Sequence, residues 1–346
     1  MCVVGKHHVL VHNHSYYQKV LSGVRWNKMH ACIKISEKRC GKKQLIILFD
    51  MLLCALFLGA GYYDYMWFDF AKLPWRKRTT YVTRLRNKKI ISALNRTSEI
   101  TENKYQFYLA FGEFMQRDAI LSSSDHETFL SFAQGKIDCI LKPVNGACGD
   151  GIEVLTLHAD AFSYANGKRD YMLEERLIQH PALAALNADS LNTYRIVTIC
   201  IDGKVHLLYA SIRIGRTGSC TDNTGRGGIL CSIDTKQECI SSSAYDDEMN
   251  EYIRHPDSHI FLKGYSLPYV QRAVEMCFQA AKKYETYGVR FVGWDVGVLP
   301  DSVTLIESNT YPSYDLWQKT GFEDGERPLG CYGIIKKIMR EADMKL

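Results

Sequence analysis

The sequence predicts an α+β protein in which a helical N-terminal region precedes a series of antiparallel hairpins. Three observations predict it. Between Leu45 and about Asn95 apolar residues recur mostly at helical spacing. From Ile137 onward, short β-rich runs alternate with glycine turns. A long helical pattern opened by Pro268 then precedes a last hairpin.

With 346 residues, 46% of them hydrophobic, the chain has the composition of an ordinary globular protein, and disorder is excluded. Its twelve cysteines are scattered from Cys2 to Cys331, none is spaced C-x-x-C and no secretory leader precedes them. Reduced thiols in a cytoplasm are therefore expected. The net charge of +5 conceals an asymmetry: residues 1–100 hold eighteen Lys and Arg against five Asp and Glu, and the remainder is acidic. A basic first part fits either a solvated surface or an anionic neighbour such as a polysaccharide, a nucleotide-linked sugar or a membrane face. No recognition motif accompanies the charge, so a nucleic acid is not expected as a partner.

Taken in order, the elements are these. Residues 1–44 are polar, basic and weakly periodic, and the cluster His7, His8, His12 and His14 lacks a cysteine or carboxylate at metal-ligand spacing. The stretch Leu45 to Tyr63 has Asp50 as its one charge and lies between Lys42-Lys43 and Arg76-Lys77-Arg78. Its length would permit a span, but Asp50, Gly59 and Gly61 favour a buried core helix or a helix resting on a membrane. Pro74 breaks the helical pattern, and the segment TTYVTRLRNKKIISALN resumes it. Tyr105, Tyr108, Leu109 and Gly112 share a stripe that puts a helix just after Lys104. Ile137 to Pro143 and Ile152 to Leu157 flank the glycine-rich VNGACGDG as a hairpin. Tyr171 to Glu174 is a short strand and His180 to Ala188 a helix. Asp202-Gly203 joins Tyr194 to Ile201 with Lys204 to Ile214 by the chemistry of a two-residue turn, and Gly228 to Asp234 is a further strand. In the helix after Pro268, Val270, Ala273, Val274, Cys277, Ala281 and Tyr284 share a face. Gly288 to Leu299 and Val303 to Asn309 form the final hairpin. The expected organisation is 1–100, basic and mostly helical; 101–178, a lobe with the glycine hairpin; and 179–346, a second lobe.

That final hairpin carries the most specific geometry. If Pro300-Asp301-Ser302 is the turn, Leu299 pairs with Val303 and Asp295 falls opposite Glu307, with Asn309 on the same face. Two opposed carboxylates require a cation between them, and two carboxylates with an amide oxygen suit magnesium. A solvent-facing or lysine-paired carboxylate is the plainer reading. Lys142 at a strand end, followed by Gly146, Gly149 and Gly151, offers a compact charge and close backbone approach to phosphate, although a plain turn shares that composition. It is not a Walker loop. YMLEERLIQHPAL is a connector that can present backbone to an adenine edge, and Arg195 at a strand start can steady a phosphoryl group. Cys148 is read as a small residue tolerated in a tight turn.

The order of these elements resembles the ATP-grasp superfamily, and in detail the sugar-transfer-associated ATP-grasp family found beside polysaccharide biosynthesis genes. The motifs that carry the resemblance are FDMLLCALFLGAGYYDY, LN followed by NKYQFY, LKPVNGACGDGI, LEERLIQHPAL, SLNTYRIVTI, GRGGI, and GWDVGVL with IESNTYP. It implies two α+β lobes enclosing ATP behind a helical domain. It implies that Lys104 and Lys142 hold the ATP phosphates from two sides, with Gly146, Gly149 and Gly151 beneath them. Glu174, Glu175 and Leu177 would lie at the adenine hinge. Arg195 and Arg213 would approach the γ-phosphate, and Asp295, Glu307 and Asn309 would hold Mg2+. Gln179 and His180 stand where many members have an acid for the ribose, and Arg176 is a bulky third hinge residue.

The resemblance also implies the reaction: a carboxylate and ATP give an acyl phosphate and ADP, and an amine then attacks. The partners would be a small-molecule or saccharide acid and an amine acceptor, in the cytoplasm, with association to a membrane or to polysaccharide machinery left open. A phosphotransferase acting on a hydroxyl and a non-catalytic nucleotide-binding protein are the rival readings.

Overall fold

The computed structural model describes residues 25–146, 150–219, 221–315, 318 and 330–346. The four N-terminal histidines, Cys148 and Gly149 lie outside the described residues. The chain divides into two compact units, 1–79 with 83–85, and 80–82 with 86–346.

The first unit is helical. Trp26–Cys40 is a helix although the sequence reads as weakly periodic there; it buries only Cys32, Ile33 and Ser36, too narrow a stripe to stand out among its charges. Gln44–Leu58 follows and buries Ile47, Met51, Cys54 and Leu58. It ends at Gly59, whose φ of 64° is left-handed and whose added Cβ would stand 2.5 Å from that of Leu85, so only glycine fits. Tyr62–Trp67 and Trp75–Arg78 complete the unit, the latter starting after Pro74. Asp64 is fully buried because its carboxylate accepts from Gly61 N (2.7 Å) and from Arg84 N (2.9 Å), pinning the start of one helix to the next segment. Among the described residues no helix is long and apolar enough to cross a membrane.

The second unit holds two sheets. Strands β1 (Ala119–Leu121), β2 (Asp138–Pro143), β3 (Glu153–Thr156) and β4 (Tyr171–Glu175) form an antiparallel sheet in the order β1-β4-β2-β3. Alternation sorts its faces. Cys139, Leu141 and Leu173 point to the helices His126–Ala133 and Ala161–Asn166. The opposite face carries Lys142, Met172 and Glu174.

The larger sheet has β5 (Thr193–Ile201), β6 (Lys204–Ile214), β7 (Ile229–Asp234), β8 (Cys239–Ile240), β9 (Ala244–Tyr245), β10 (Glu251–Tyr252), β11 (Phe291–Val298) and β12 (Val303–Asn309). Its path is β10-β9-β7-β6-β5-β11-β12, with β8 pairing β7. Asp202 and Gly203, with φ of 53° and 74°, make the tight turn their sequence predicts between β5 and β6. The amphipathic helix Val270–Glu285 lays Ala273, Cys277, Ala281 and Tyr284 on one face, against Tyr194, Ile196, Trp294 and Val296. Val197, Ile199 and Phe291 meet Ile90, Leu94, Ile335 and Ile338 on the other. Both faces being covered, β5 and β11 are buried throughout. The terminal helix Tyr332–Glu341, the short helices beside the small sheet and the two-residue strands have no counterpart in the sequence reading.

The β11–β12 hairpin departs from its expected register twice. Val303 pairs with Val298 rather than Leu299, and Leu299 N donates to Ser302 O at 2.9 Å, so the turn is one residue longer. A bulge then places Ile306 between the pairs Val296–Leu305 and Asp295–Glu307. The second shift cancels the first and restores Asp295 opposite Glu307.

Asp64→Ala is expected to destabilise the helical unit by about 1 kcal/mol, because two partly buried backbone donors lose their acceptor. Urea denaturation followed by circular dichroism measures it; an unchanged midpoint would remove this role from Asp64.

Candidate functional site

The site builds up from charged residues set into an otherwise apolar sheet interior. Arg195 on β5 stands between Ser211 on β6 and Asp295 on β11, so the pleat sends Arg195, Arg213 and Asp295 to one face, with Glu307 and Asn309 of β12 beside them. Gly293 shares that face, and a Cβ there would lie 3.4 Å from Arg195 Cδ; the missing side chain leaves room for the arginine to lie along the sheet.

Asp295 is the most heavily tied group. Arg195 grips it as a fork, Nε to Oδ1 at 2.5 Å and Nη2 to Oδ2 at 2.9 Å, and Arg213 Nη2 reaches Oδ2 at 3.0 Å. Burial pushes this carboxyl up, but Arg195 and then Arg213 outweigh burial and hold it below the usual range. Arg213 also lies 3.4 Å from Asp222, whose Oδ2 accepts from Thr193 N and Oγ1. Glu307 is different. Burial and the neighbouring Asp295 charge raise its carboxyl, and among the described residues it makes no ion pair of its own. Asn309 Nδ2 donates to Asp295 Oδ2 (3.2 Å) and Glu307 Oε1 (3.4 Å), so the three side chains converge. The cationic neighbour that opposed carboxylates demand is supplied at Asp295 by two arginines.

The smaller sheet supplies the other charges. Lys142 Nζ lies 2.7 Å from Glu174 Oε2, both buried. Lys104 opens the helix Lys104–Phe111, donates from Nζ to Gly146 O at 2.6 Å, and has its ammonium pulled down by burial, with Glu307 and Glu174 acting against that and Lys142 adding to it. Lys104 thus stands within electrostatic reach of both Lys142 and Glu307. Gly146 has a φ of 112°, and an added Cβ on Gly151 would strike Pro143 and the Tyr171 hydroxyl.

The connector is less open than the sequence suggests. The Glu174 carboxylate faces Lys142 and Arg117, and Glu175 Oε2 accepts from Asp118 N, so both side chains are engaged within the protein. Leu177 is half-buried in the loop after β4. Arg176 pairs with Asp138 at 2.5 Å, away from Lys142. Gln179 binds Asn187 O, Ser190 O and Asn192, and His180 Nδ1 caps the helix Pro181–Leu186, so both are committed to the loop.

Two residues escaped the sequence reading. Arg117 donates to Glu174 Oε1 (3.1 Å), Leu305 O (2.6 Å) and Ile306 O (3.0 Å), joining the small sheet to the bulge of β12. Asp222 is the second acid facing Arg213. Arg117 stands two residues ahead of the short run Ala-Ile-Leu and Asp222 sits in a polar glycine loop, and neither spacing marks a site.

An oxygen-rich set of Asp295, Glu307 and Asn309 fits a hard divalent cation, with one requirement. The Asn309 amide must turn over to offer its oxygen in place of the Nδ2 it now directs at both carboxylates. Of the two carboxylates, Glu307 is the one to which no arginine is bound among the described residues.

Glu174 has a checkable pH signature. Burial pushes its carboxyl up, but Arg117 and then Lys142 prevail and hold it at about 2. A folded pKa below the unfolded value contributes stability that is present above the unfolded pKa and lost as pH falls from about 4.3 toward 2. Glu174→Gln should flatten that acid limb and cost about 3 kcal/mol at neutral pH by leaving two buried cations uncompensated. Urea midpoints across pH 3 to 7 report both; acid limbs that run parallel in the two proteins would contradict the assignment.

The comparisons with known proteins bear on this arrangement. A family model described as sugar-transfer associated ATP-grasp matches residues 157–321, which run from the end of β3 past β12 and include Arg195, Arg213, Asp295, Glu307 and Asn309. No curated protein matches the chain. Among solved structures, an ADP complex of purK, N5-carboxyaminoimidazole ribonucleotide synthetase, is 14% identical, with a TM-score of 0.39 over 62% of this chain and 45% of its own. The ATP-grasp ligase PsnB with a minimal precursor variant, Mg and ADP is 17% identical, with a TM-score of 0.39 over 77% of this chain and 68% of its own. D-alanine-D-alanine ligase from Helicobacter pylori is 14% identical, with a TM-score of 0.36 over 64% and 55%. This chain spans about half the length of the first and third of these, and at such scores the likeness carries no argument about activity. It is the family match that likens residues 157–321 of this chain to the sugar-transfer associated ATP-grasp family.

Proposed function

We propose that the protein is an ATP-dependent, ADP-forming ligase that activates a carboxylate as an acyl phosphate for attack by an amine, the acid or the acceptor being a saccharide derivative. The observation that carries this reading is the pair of charges left over once the buried ion pairs are counted. Lys104 and Glu307 make no ion pair of their own among the described residues, the Glu307 charge acts on Lys104, and Lys142 acts on both. A polyanion with a divalent cation supplies the two partners they lack.

In this reading Lys104 and Lys142 draw the triphosphate from two sides, and the backbone of Gly146 and Gly151 lies under it. The backbone of Glu174, Glu175 and Leu177 borders the purine. Arg195 keeps Nη1 outside its fork with Asp295, and that donor with Arg213 faces the transferring phosphoryl group, where fixed cations stabilise developing charge. Asp295, Glu307 and Asn309 would hold Mg2+, which when bound neutralises phosphate charge. No covalent nucleophile is required; the protein orients the carboxylate for in-line attack and keeps water away. The family description supports a saccharide partner.

Asp295→Asn should lower ADP release by roughly a hundredfold or more, since it weakens both the arginine fork and the metal set. Circular dichroism guards against loss of fold, and near-normal turnover of a folded variant would reject the metal assignment. Hydroxylamine added during turnover should yield a hydroxamate. Turnover with acceptor phosphorylation and no hydroxamate would instead support the phosphotransferase reading.

A further inference from the structure

The helix Gln44–Leu58 is apolar on two sides, and only one of them is buried. Ile47, Met51, Cys54 and Leu58 face the unit's interior. Leu45 (80% exposed), Ile46, Phe49 (66%), Leu52, Leu56 and Phe57 (70%) face outward. At 100° per residue these outward positions span an arc about 140° wide, and Trp75 extends the patch, its ring edge-on to Phe57 at 6.2 Å. A contiguous apolar surface of this size on a helix marks a contact with something apolar.

Charge says which contact. Residues 25–79 carry eleven Lys and Arg against four Asp and Glu. All four acids are engaged within the unit. Asp50 binds Arg78 (2.7 Å) and the Tyr65 hydroxyl (2.6 Å), and Asp69 faces Arg39 at 3.4 Å. Asp64 accepts two backbone bonds, and Glu37 accepts from Gln44. The outward charge is therefore positive, and it brackets the patch. Lys42 and Lys43 stand at the helix start, Lys42 lining a shallow groove of about 510 Å³ with Leu45, Ile46 and Phe49, and exposed Arg76 follows Trp75. With fifteen residues the helix is about 22 Å long, shorter than a hydrocarbon core of about 30 Å, so it would lie along a bilayer.

We propose that this face is a membrane-docking surface that seats on a bilayer bearing anionic headgroups, Phe49, Phe57 and Trp75 entering the interface while Lys42, Lys43 and Arg76 meet the headgroup charge. Asp50 lies at the edge of the arc, where Arg78 neutralises it. The inference is independent of the ligase reading, which concerns the other unit.

The test is sedimentation of the full chain with vesicles of phosphatidylcholine containing about one third phosphatidylglycerol, beside vesicles of phosphatidylcholine alone. Binding to the anionic vesicles only is expected, weakening as salt rises from about 0.05 to 0.5 M. The double variant Phe49→Ser/Phe57→Ser and the double variant Lys43→Glu/Arg76→Glu should each bind about tenfold more weakly, with ADP release unchanged. These residues are exposed, so the variants should fold, and circular dichroism checks it. Equal binding by the serine variant would overturn the proposal by assigning the affinity to basic charge alone. Absence of binding by the wild type would also overturn it. In that case, self-association abolished by the serine variant would give the face to a second copy, and binding gained on removing residues 1–24 would give it to that segment.

Discussion

The second unit depends on how one carboxylate is kept ionised inside it. Asp295 is about as buried as the tryptophan next to it on β11. An isolated buried carboxylate is costly enough to take up a proton, so two guanidinium groups on adjacent strands must be in place before the strand can be interior. That requirement fixes several things at once. β5 must lie between β6 and β11, Arg195 and Arg213 must share a face, and position 293 must lack a side chain so that Arg195 can lie flat. Asp222 balances the second arginine, and Thr193 holds Asp222 in turn. Among the described residues Glu307 makes no ion pair with an arginine, and burial and the Asp295 charge raise its carboxyl.

The smaller sheet repeats the principle with opposite sign: there a single buried acid, Glu174, serves two cations. Arg117 connects the two arrangements. Its guanidinium binds Glu174 and also the carbonyls of Leu305 and Ile306, on either side of the peptide where β12 bulges. A bulge leaves backbone acceptors out of the ladder, and here those acceptors hold a cation from the neighbouring sheet. The bulge that brings Glu307 opposite Asp295 is therefore the same feature that ties β12 to the charge network of Lys142.

Long elements with a clean period were legible in the sequence, as was the joint placement of Asp295, Glu307 and Asn309 on one face. The pairing was reached through two departures that cancel, a longer turn and a bulge at Ile306. A period of two constrains which residues share a face far more tightly than it constrains where a turn begins. What was not legible is contact between distant segments. Arg117 and Glu174 are 57 positions apart, Arg195 and Asp295 100 apart. Nothing in a single chain distinguishes an arginine that will grip a buried acid from one that will face water. Glu174 shows the same limit, because no spacing announces that Lys142 and Arg117 will take its carboxylate.

The apolar helix of the first unit makes the complementary point about what hydropathy measures. A run such as Leu45 to Leu58 is equally apolar whether it is a core helix, an interfacial helix or a short span, because its sum ignores direction. Direction is decided by its neighbours. The helices Trp26–Cys40 and Tyr62–Trp67 cover the side bearing Ile47, Met51 and Cys54, and Asp50 is fixed at the border by Arg78 and Tyr65. Once those contacts are made, rotating the helix to hide Phe49 and Phe57 would expose the other stripe and break the Asp50 network, so no rotation of this helix buries all of its apolar surface. An amphipathic helix has one solution inside a small helical unit; a helix apolar all round has none, and its second face must be met from outside.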